Sequence, residues 1–417
     1  MPVLRARVLT AVSAEQVRYL DDALVVIDGT GRIADIRPPG ELEVDEDLRP
    51  GLLVPGFVDA HVHYPQTRIV GAASGPLLQW LERSAFPEEA RFADADHAGR
   101  VAEEFCACLA AAGTTMAMIY GSVHPEAANL LFRALDRWGL RAIAGPVLMD
   151  DHSPEALTLP AAEALPALSK LADRWHGHDG RLQVAAIPRF ALSCSREMLA
   201  GAGSLAAERH LWVTTHLAEN PAECEEALRR FDAPDYLSIY EEAGLVGPRS
   251  VFAHCIHLSS SEWDRFAEAG AIVAHCPDSN FFLGSGNMPV DAVRSRRIPI
   301  TIGSDVAGGR SFRIPRILSS AWDNGKTIGA HLTPTELLWW GTRGAALALG
   351  ESRVGALEGG LDADMALYEL PHWVRSEQDA LGWLLFDHDA PRPRRTWVRG
   401  RVIWERTGGG YPWRGVR

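Results

Sequence analysis

Short apolar runs alternate with longer amphipathic segments through the middle of the chain, from about residue 51 to residue 350. Short apolar runs bounded by turn residues are typical of buried strands, and the longer segments have the period of helices. Strands and helices that alternate in this way indicate repeated βα units around a parallel sheet. The pattern predicts eight such strands, at residues 52–60, 114–120, 141–148, 182–189, 211–216, 250–254, 271–276 and 298–305.

The segments between these strands complete the prediction of an α/β fold. Predicted helices lie at residues 98–111, 126–138, 162–175, 221–231 and 260–268. Eight parallel strands in this order imply a closed (β/α)₈ TIM barrel, whose active site lies at the C-terminal ends of the strands. The segment after the first strand, residues 64–94, is long and rich in aromatic residues, so we expect it to form a lid or a wall of the pocket.

The two ends of the chain have a different pattern, with short alternating runs broken by turn residues. Such runs lie at residues 23–28, 33–36, 364–370 and 397–404. We therefore expect a small composite β-sandwich domain built from both termini, residues 1–50 and 351–417. The catalytic barrel, residues 51–350, is inserted between its two parts.

Composition favours a soluble globular protein and excludes several other classes. The 417 residues are 47% hydrophobic, and no stretch of eighteen apolar residues could form a membrane span. The N-terminal residues alternate like a strand and lack the pattern of a secretion signal, so we expect a cytoplasmic protein. The net charge is −13, and no run of Lys or Arg is long enough to follow a phosphate backbone. We therefore expect neither a nucleic-acid polymer nor a membrane as partner.

Histidine and aspartate residues stand at the ends of four predicted strands. His61 and His63 are two residues apart, and because side chains alternate along a strand, both imidazoles face the same way. The fifth strand ends in His216, the sixth in His254 and the eighth in Asp305. A barrel brings these ends together at one mouth. Nitrogen and oxygen ligands with room left for water suit zinc or iron(II), so the sequence predicts a metal centre.

Residues near this predicted centre can move protons. A bound divalent ion lowers the pKa of water toward about 7, which supplies hydroxide at neutral pH. Glu219 follows His216 by three residues in THLAEN, so it can pass a proton to a ring nitrogen while hydroxide attacks the adjacent carbon. His254 is either a further ligand or, in a role that serves the chemistry better, stabilises the attacking water and the tetrahedral intermediate. Asp305 then ligates the metal and accepts the water's proton.

Five stretches carry a resemblance to a known family: PGFVDAHVHYPQT, THLAEN, FAHCIHL, CPDSNFFLGSG and GSDVAGG. In this order they resemble the amidohydrolase superfamily, over about residues 54–364. HVHYPQT, the LERSAFPEEARFAD region, PRFA and LGSG point to its guanine deaminases. The resemblance implies hydrolysis of guanine to xanthine and ammonia in purine catabolism, by a homodimer that takes a small purine-like substrate.

The resemblance also implies the roles of individual residues. It implies one zinc ion per chain, with iron(II) as the alternative, held by His61, His63, His216 and Asp305. It implies Glu219, His254 and Asp305 as the catalytic residues.

The resemblance suggests substrate contacts by Gln66, Arg189 and Phe190. An arginine can donate to the O6 atom of a purine, a glutamine amide can pair with the ring edge, and an aromatic ring can pack against its face. The ordinary alternatives are a salt bridge for Arg189 and plain packing for Phe190. Trp80 and Asn280 are weaker candidates, because a lid aromatic and a loop asparagine both have structural uses.

Three positions depart from the pattern of the guanine deaminases. Ala307 and Arg310 stand where glycine and threonine are expected, and Asp278 stands where threonine is familiar. We expect these residues near the mouth of the pocket, where they affect the choice of substrate rather than metal binding. A related aminated ring, such as an 8-substituted guanine, a pterin or a triazine, therefore stays open as the substrate.

Other functions fit the sequence less well. Cyclic amide hydrolases with two metals need a carbamylated lysine at a strand end, but Lys170 falls in a helical stretch and Lys326 after the eighth strand. Triazine dechlorination needs similar metal chemistry but gains little support from Gln66 and Arg189. Cytidine-type deaminases need a P-C-x-x-C stretch, which the chain lacks. A purely structural barrel has no need to keep every ligand together with Glu219.

Overall fold

The computed structural model describes residues 1–387 and 392–406. The strands are β1 (Val3–Ala11), β2 (Val17–Ile27), β3 (Ile33–Arg37), β4 (Glu46–Pro55), β5 (Phe57–His63), β6 (Thr114–Tyr120), β7 (Arg141–Gly145), β8 (Val147–Leu148), β9 (Leu182–Pro188), β10 (Trp212–Leu217), β11 (Ser250–His254), β12 (Ile272–His275), β13 (Ile300–Ile302), β14 (Met365–Tyr368), β15 (Arg395–Val398) and β16 (Arg401–Glu405). They form two separate sheets.

The helices lie mainly between the strands of the larger sheet. They are α1 (Leu77–Trp80), α2 (Phe86–Glu89), α3 (Ala95–Ala112), α4 (Pro125–Trp138), α5 (Ala161–Trp175), α6 (Arg196–Arg209), α7 (Pro221–Phe231), α8 (Tyr236–Glu242), α9 (Ser260–Glu268), α10 (Pro277–Phe282), α11 (Val290–Ser295), α12 (Ile314–Thr327), α13 (Pro334–Gly341), α14 (Arg343–Ala348) and α15 (Glu377–Phe386). Within the described ranges, none of them is long and apolar enough to cross a membrane.

The larger sheet forms a (β/α)₈ barrel, which confirms the predicted fold. Its parallel strands follow the order β5, β6, β7, β9, β10, β11, β12 and β13, with β8 paired to β9. Two backbone hydrogen bonds join the segment just after the last strand to the first strand: Asp305 N–H donates to His61 O at 2.8 Å, and His63 N–H donates to Val306 O at 3.1 Å. The seam of the barrel therefore places Asp305 against the two histidines of the first strand.

The predicted first strand, residues 52–60, is two strands in the structure. β4 ends at Pro55 in the small sheet, and β5 begins at Phe57 in the barrel. Gly56 lies between them, where a Cβ atom would come within 2.1 Å of the Thr115 hydroxyl. Because residues 51–55 of β4 and all of β5 are buried, their apolar residues form one run in the sequence, and periodicity does not mark the boundary.

The predicted helices are confirmed, and polar residues before them explain where several begin. Asp94 accepts hydrogen bonds from the backbone at the start of α3. Asn220 before α7 and Ser259 before α9 each form a capping box with the glutamate three residues later. Such caps satisfy backbone N–H groups that have no partner inside the helix.

The smaller sheet combines both parts of the chain, as the predicted composite domain requires. Its order is β16, β15, β14, β4, β1, β2 and β3, with β4 parallel to β1 and antiparallel to β14. The division at residues 50 and 351 stays a prediction, and β4 continues past residue 50 to Pro55. Residues 388–391 and 407–417 of the predicted domain lie outside the described residues.

A buried arginine joins the two sheets. Arg141, at the start of β7, is 1% exposed and pairs with two carboxylates that precede β14. Its Nε donates to Oδ2 of Asp364 at 2.7 Å, and its Nη2 donates to Asp362. Oε2 of Glu351 lies further away, 3.9 Å from Nη1. The charge of the guanidinium is therefore balanced chiefly by the two aspartates that lead into the small sheet.

Candidate metal centre and substrate pocket

The four predicted metal ligands converge at the C-terminal mouth of the barrel. Nε2 of His61 lies 3.2 Å from Nε2 of His63 and 3.2 Å from Oδ1 of Asp305. Nε2 of His63 lies 3.3 Å from Oδ1 of Asp305 and 3.3 Å from Nε2 of His216. Ligand atoms at about 2.0–2.1 Å from one tetrahedral metal ion lie about 3.3 Å from each other. The observed separations therefore fit a single ion.

Burial holds these side chains in the protonation states that bind a metal. Loss of water lowers the pKa of His61 and His216, and lowers that of His63 to about 4. Burial alone would raise the pKa of Asp305, but hydrogen bonds with His61 and His63 outweigh it and hold that pKa well below the usual value. Neutral imidazoles and an ionised carboxylate are the forms that ligate a divalent ion.

His216 is oriented by a backbone carbonyl. Its Nδ1 lies 2.6 Å from the carbonyl oxygen of Arg189, which accepts the Nδ1 proton and leaves the Nε2 lone pair for a metal. His216 thus has the same kind of hydrogen-bond partner that orients metal-binding histidines in other proteins.

His254 lies slightly further from the centre. Its Nε2 is 3.4 Å from Oε2 of Glu219 and 3.8 Å from Oδ2 of Asp305, and this buried nitrogen has no hydrogen-bond partner among the described residues. Its Nδ1 donates to Oδ1 of Asn280 at 2.8 Å. Asn280 therefore positions His254, and its suggested role as a substrate contact stays a prediction. His254 and Asp305 both have left-handed backbone, with φ of 69° and 47°, a strain that is typical of functional sites.

Glu219 faces His254 from the loop before α7. The side chain is 2% exposed, and Oγ of Ser285 donates to its Oε1 at 3.0 Å. Burial, with a smaller contribution from the charge of Asp305, raises the pKa of Glu219 to about 8. The backbone N–H of Glu219 donates to Oε2 of Glu223 at 3.0 Å, which fixes the loop. A carboxyl group in this state can both give and take a proton near neutral pH.

A cavity opens beside these groups. It is lined by His63, Gln66, Leu77, Trp80, Leu81, Arg189, Phe190, His216, Glu219, Leu283 and Asp305. All four predicted substrate contacts, Gln66, Trp80, Arg189 and Phe190, are in this set. Leu77, Trp80 and Leu81 come from the segment 64–94, so this segment forms a wall of the pocket. Apolar walls with a few fixed polar groups are typical of sites for small flat ligands.

The sequence pattern of the Amidohydrolase family matches residues 52–403. The chain belongs to the amidohydrolase family. It is 35% identical over 413 residues to the guanine deaminase of Escherichia coli K12, covering 94% of this chain and 93% of that protein. It is 38% identical over 415 residues to a probable guanine deaminase of Deinococcus radiodurans, covering 93% and 94%. The crystal structure of a C. acetobutylicum guanine deaminase with bound guanine superposes with a TM-score of 0.91 at 26% identity, over 97% of this chain and 100% of that one.

Sequence reasoning missed Ser285 and Glu89 in this amidohydrolase site. Ser285 holds Glu219, and Glu89 contacts both Gln66 and Arg189. Both residues lie in stretches that carry the family resemblance, LGSG and LERSAFPEEARFAD. The second stretch contains two adjacent glutamates, and no periodic pattern distinguishes the one that faces the site.

Two of the three departures from the family pattern, Asp278 and Arg310, form an ion pair with each other. Nε and Nη2 of Arg310 donate to the carboxylate of Asp278 at 3.1 and 2.6 Å, and the backbone N–H of Arg310 donates to it at 2.7 Å. Neither residue is in the set that lines the cavity. The backbone N–H of Ala307 donates to Oε1 of Gln66 at 2.8 Å, so the methyl group of Ala307 takes no part in this hydrogen bond. None of the three residues is in the set that lines the cavity, and their effect on the choice of substrate stays a prediction.

We expect Arg310→Thr to destabilise the protein without changing its substrate. Asp278 is 1% exposed, so loss of its partner leaves a buried carboxylate and costs about 1–3 kcal/mol. Because Arg310 is 44% exposed on its side chain, we expect the lower half of that range. The measurements are the free energy of unfolding in urea and KM for guanine.

The double variant Asp278→Thr/Arg310→Thr is the control, and it should recover most of the lost stability. Burial raises the pKa of Asp278, but the hydrogen bonds and charge of Arg310 outweigh this and lower it overall. The pair therefore stabilises fully above the ordinary Asp pKa of about 3.9, and its contribution is lost as pH falls below that value. A change in KM above about fivefold would contradict the structural role.

Proposed function

We propose that this amidohydrolase is a guanine deaminase, which hydrolyses guanine to xanthine and ammonia. The observation that carries the proposal is that one cavity is lined by His63, His216 and Asp305 of the metal site, by Glu219, and by the polar side chains Gln66 and Arg189. The near-full-length similarity to guanine deaminases supports the same substrate. The structural similarity to a guanine deaminase with guanine in its active site supports it further.

We propose zinc as the metal, one ion per chain, held by His61, His63, His216 and Asp305. The donor set and the separations of about 3.3 Å between neighbouring ligand atoms fit that ion. When bound, zinc lowers the pKa of water toward about 7 and so supplies the hydroxide nucleophile. His254 is assigned outside the ligand set, because its Nε2 is nearer to the Glu219 carboxyl than to Asp305.

In the proposed reaction, the side chains move protons while water adds to C2 of guanine and the amino group leaves. Asp305 accepts a proton from the attacking water. Protonated Glu219 donates to the ring nitrogen beside C2, then takes up the proton of the hydroxyl group now on C2 and passes it to the amino group, which leaves as ammonia while the C2 carbonyl forms. The proton held by Asp305 then returns to Glu219. The Nε2 atom of His254, held through Asn280, stabilises the developing tetrahedral centre. Water and guanine together give xanthine and ammonia, so atoms balance.

Several wider features are proposals that rest on the sequence pattern and on the family resemblance. We propose that the enzyme acts in purine catabolism, in the cytoplasm, as a homodimer. We also propose that residues 1–50 and 351–417 form the small domain and residues 51–350 the catalytic barrel.

Ammonia release from zinc-loaded protein tests the substrate. The panel contains guanine, 8-oxoguanine, adenine, cytosine, isoxanthopterin and a melamine-type triazine. We expect the highest kcat/KM with guanine, with xanthine as the product by its ultraviolet spectrum. If another aminated ring reacts and guanine does not, the metal chemistry stands and the substrate is wrong. No ammonia from any ring would overturn the deaminase proposal.

A further inference from the structure

A buried carboxylate joins Gln66 and Arg189, two of the polar side chains that line the pocket. Glu89, the last residue of α2, is 3% exposed. Its Oε1 accepts a hydrogen bond from Nε2 of Gln66 at 2.8 Å, and its Oε2 accepts one from Nη1 of Arg189 at 2.6 Å. Glu89 lies behind both side chains, outside the set of described residues that line the cavity. It therefore acts on a ligand through Gln66 and Arg189.

Glu89 fixes which atom of the Gln66 amide faces each neighbour. A carboxylate only accepts hydrogen bonds, and a backbone N–H only donates them. Since Ala307 N–H donates to Oε1 of Gln66 at 2.8 Å, the amide oxygen points to Ala307 and the amide nitrogen to Glu89. The amide nitrogen has a second N–H that this arrangement leaves for a ligand. Gln66 is thereby set as a donor toward the pocket.

Glu89 also balances the charge of Arg189 and holds its plane. Arg189 is 3% exposed, and an unpaired guanidinium at such a position is strongly disfavoured. Its guanidinium carbon lies 5.2 Å from the centre of the Phe86 ring, which supports the group on a second side. The remaining N–H groups of Arg189 are donors, because a guanidinium has no acceptor atom.

We propose that Glu89 is a positioning residue that sets Gln66 and Arg189 as fixed donors, and thereby selects rings with an acceptor over rings with a donor at that edge. This inference rests on the proposed function, because it assumes a purine in the cavity. Guanine presents the carbonyl oxygen O6. The analogue 2,6-diaminopurine has the same reactive amino group at C2 but presents an amino donor at position six. A site built to donate to a carbonyl rejects such an analogue because donor then faces donor.

The test is Glu89→Gln, with Glu88→Gln as the matched control. Glu88 is the adjacent buried carboxylate, but it pairs with Arg91 and His97. In Glu89→Gln one amide N–H group must face Gln66 or Arg189. We expect KM for guanine to rise about 10–100-fold with a smaller change in kcat, and the guanine preference over 2,6-diaminopurine to fall about tenfold or more. Zinc content should be unchanged, and Glu88→Gln should keep both KM and preference.

A binding measurement separates recognition from turnover. Guanine is titrated calorimetrically into zinc-loaded Glu219→Gln, and then into the same variant with Glu89→Gln added. The inference predicts a Kd at least about tenfold weaker in the second protein. If Glu89→Gln does not fold, Glu89→Asp retains the buried charge but withdraws it by one methylene, and the same loss of affinity is expected.

The inference is overturned if KM and the ring preference stay as in the wild type, or if Glu88→Gln changes them equally. If guanine proves not to be the substrate, the proposed function fails in the wild-type protein itself. The comparison of Glu89→Gln with Glu88→Gln is then made on the ring that reacts or, if none reacts, on guanine affinity alone. Failure of the proposed function therefore appears in the wild-type protein, and failure of the proposal for Glu89 appears only in the comparison of the two variants.

Discussion

Glu219→Gln is expected to lower kcat for guanine about 10³–10⁴-fold, the upper part of the range for loss of a general acid and base. A glutamine amide has nearly the shape of the carboxyl group and can still accept a hydrogen bond from Oγ of Ser285. It can neither give a proton to the ring nitrogen nor carry one to the leaving amino group. The measurement is steady-state ammonia release, with zinc content determined on the same sample.

Glu225→Gln is the matched control for this variant. Glu225 lies in α7, the helix that follows Glu219, and is exposed to solvent. We expect it to have wild-type kcat and KM. Retention of more than a tenth of wild-type kcat by Glu219→Gln, at equal zinc content, would show that another group moves the protons.

Loss of His216 is the second large effect expected. In His216→Ala, zinc content should fall from about one ion per chain to below a tenth, and ammonia release should fall to background. The measurement that does not depend on activity is thermal unfolding with and without added zinc. An ion that binds only the folded chain adds about 2.7 kcal/mol of stability at a concentration of one hundred times its Kd. The wild-type protein should therefore gain stability from zinc, and His216→Ala should gain little.

His372→Ala controls for general metal binding by histidine. His372 is exposed and lies outside the barrel mouth, so its loss should leave zinc content and stabilisation by zinc unchanged. Equal zinc content in His216→Ala and the wild type would remove His216 from the proposed ligand set and favour His254 in its place. His254 is the alternative because its nitrogen lies within 4.8 Å of ligand atoms of His61, His216 and Asp305.

The barrel and most of the metal site were predictable because their signals are periodic. His61 and His63 share a strand face, and His216, His254 and Asp305 each follow an apolar run. A parallel barrel converts these positions along the chain into neighbours in space without further information. The 3.2 Å separation of the Nε2 atoms of His61 and His63 follows from their shared face of one strand.

Features that depend on irregular backbone could not be predicted in the same way. Glu89 lies in the segment 64–94, which consists of short helices and turns, so its direction follows from no single period. Asp278 and Arg310 are 32 residues apart, and each looks like an isolated departure until the fold brings them together. The boundary at Gly56 is hidden because one apolar run supplies strands to two sheets.

The buried ion pairs of Arg141 limit how the barrel and the small sheet of this enzyme can be exchanged with those of its relatives. A chimera that takes the barrel from this chain and the small sheet from another protein must also supply carboxylates equivalent to Asp362 and Asp364. Without them the buried guanidinium loses the two carboxylates that accept its hydrogen bonds, at a cost of about 3–5 kcal/mol, a large part of the stability of a typical domain. Barrel and sheet are therefore exchanged successfully as a single unit, or with all three residues carried together.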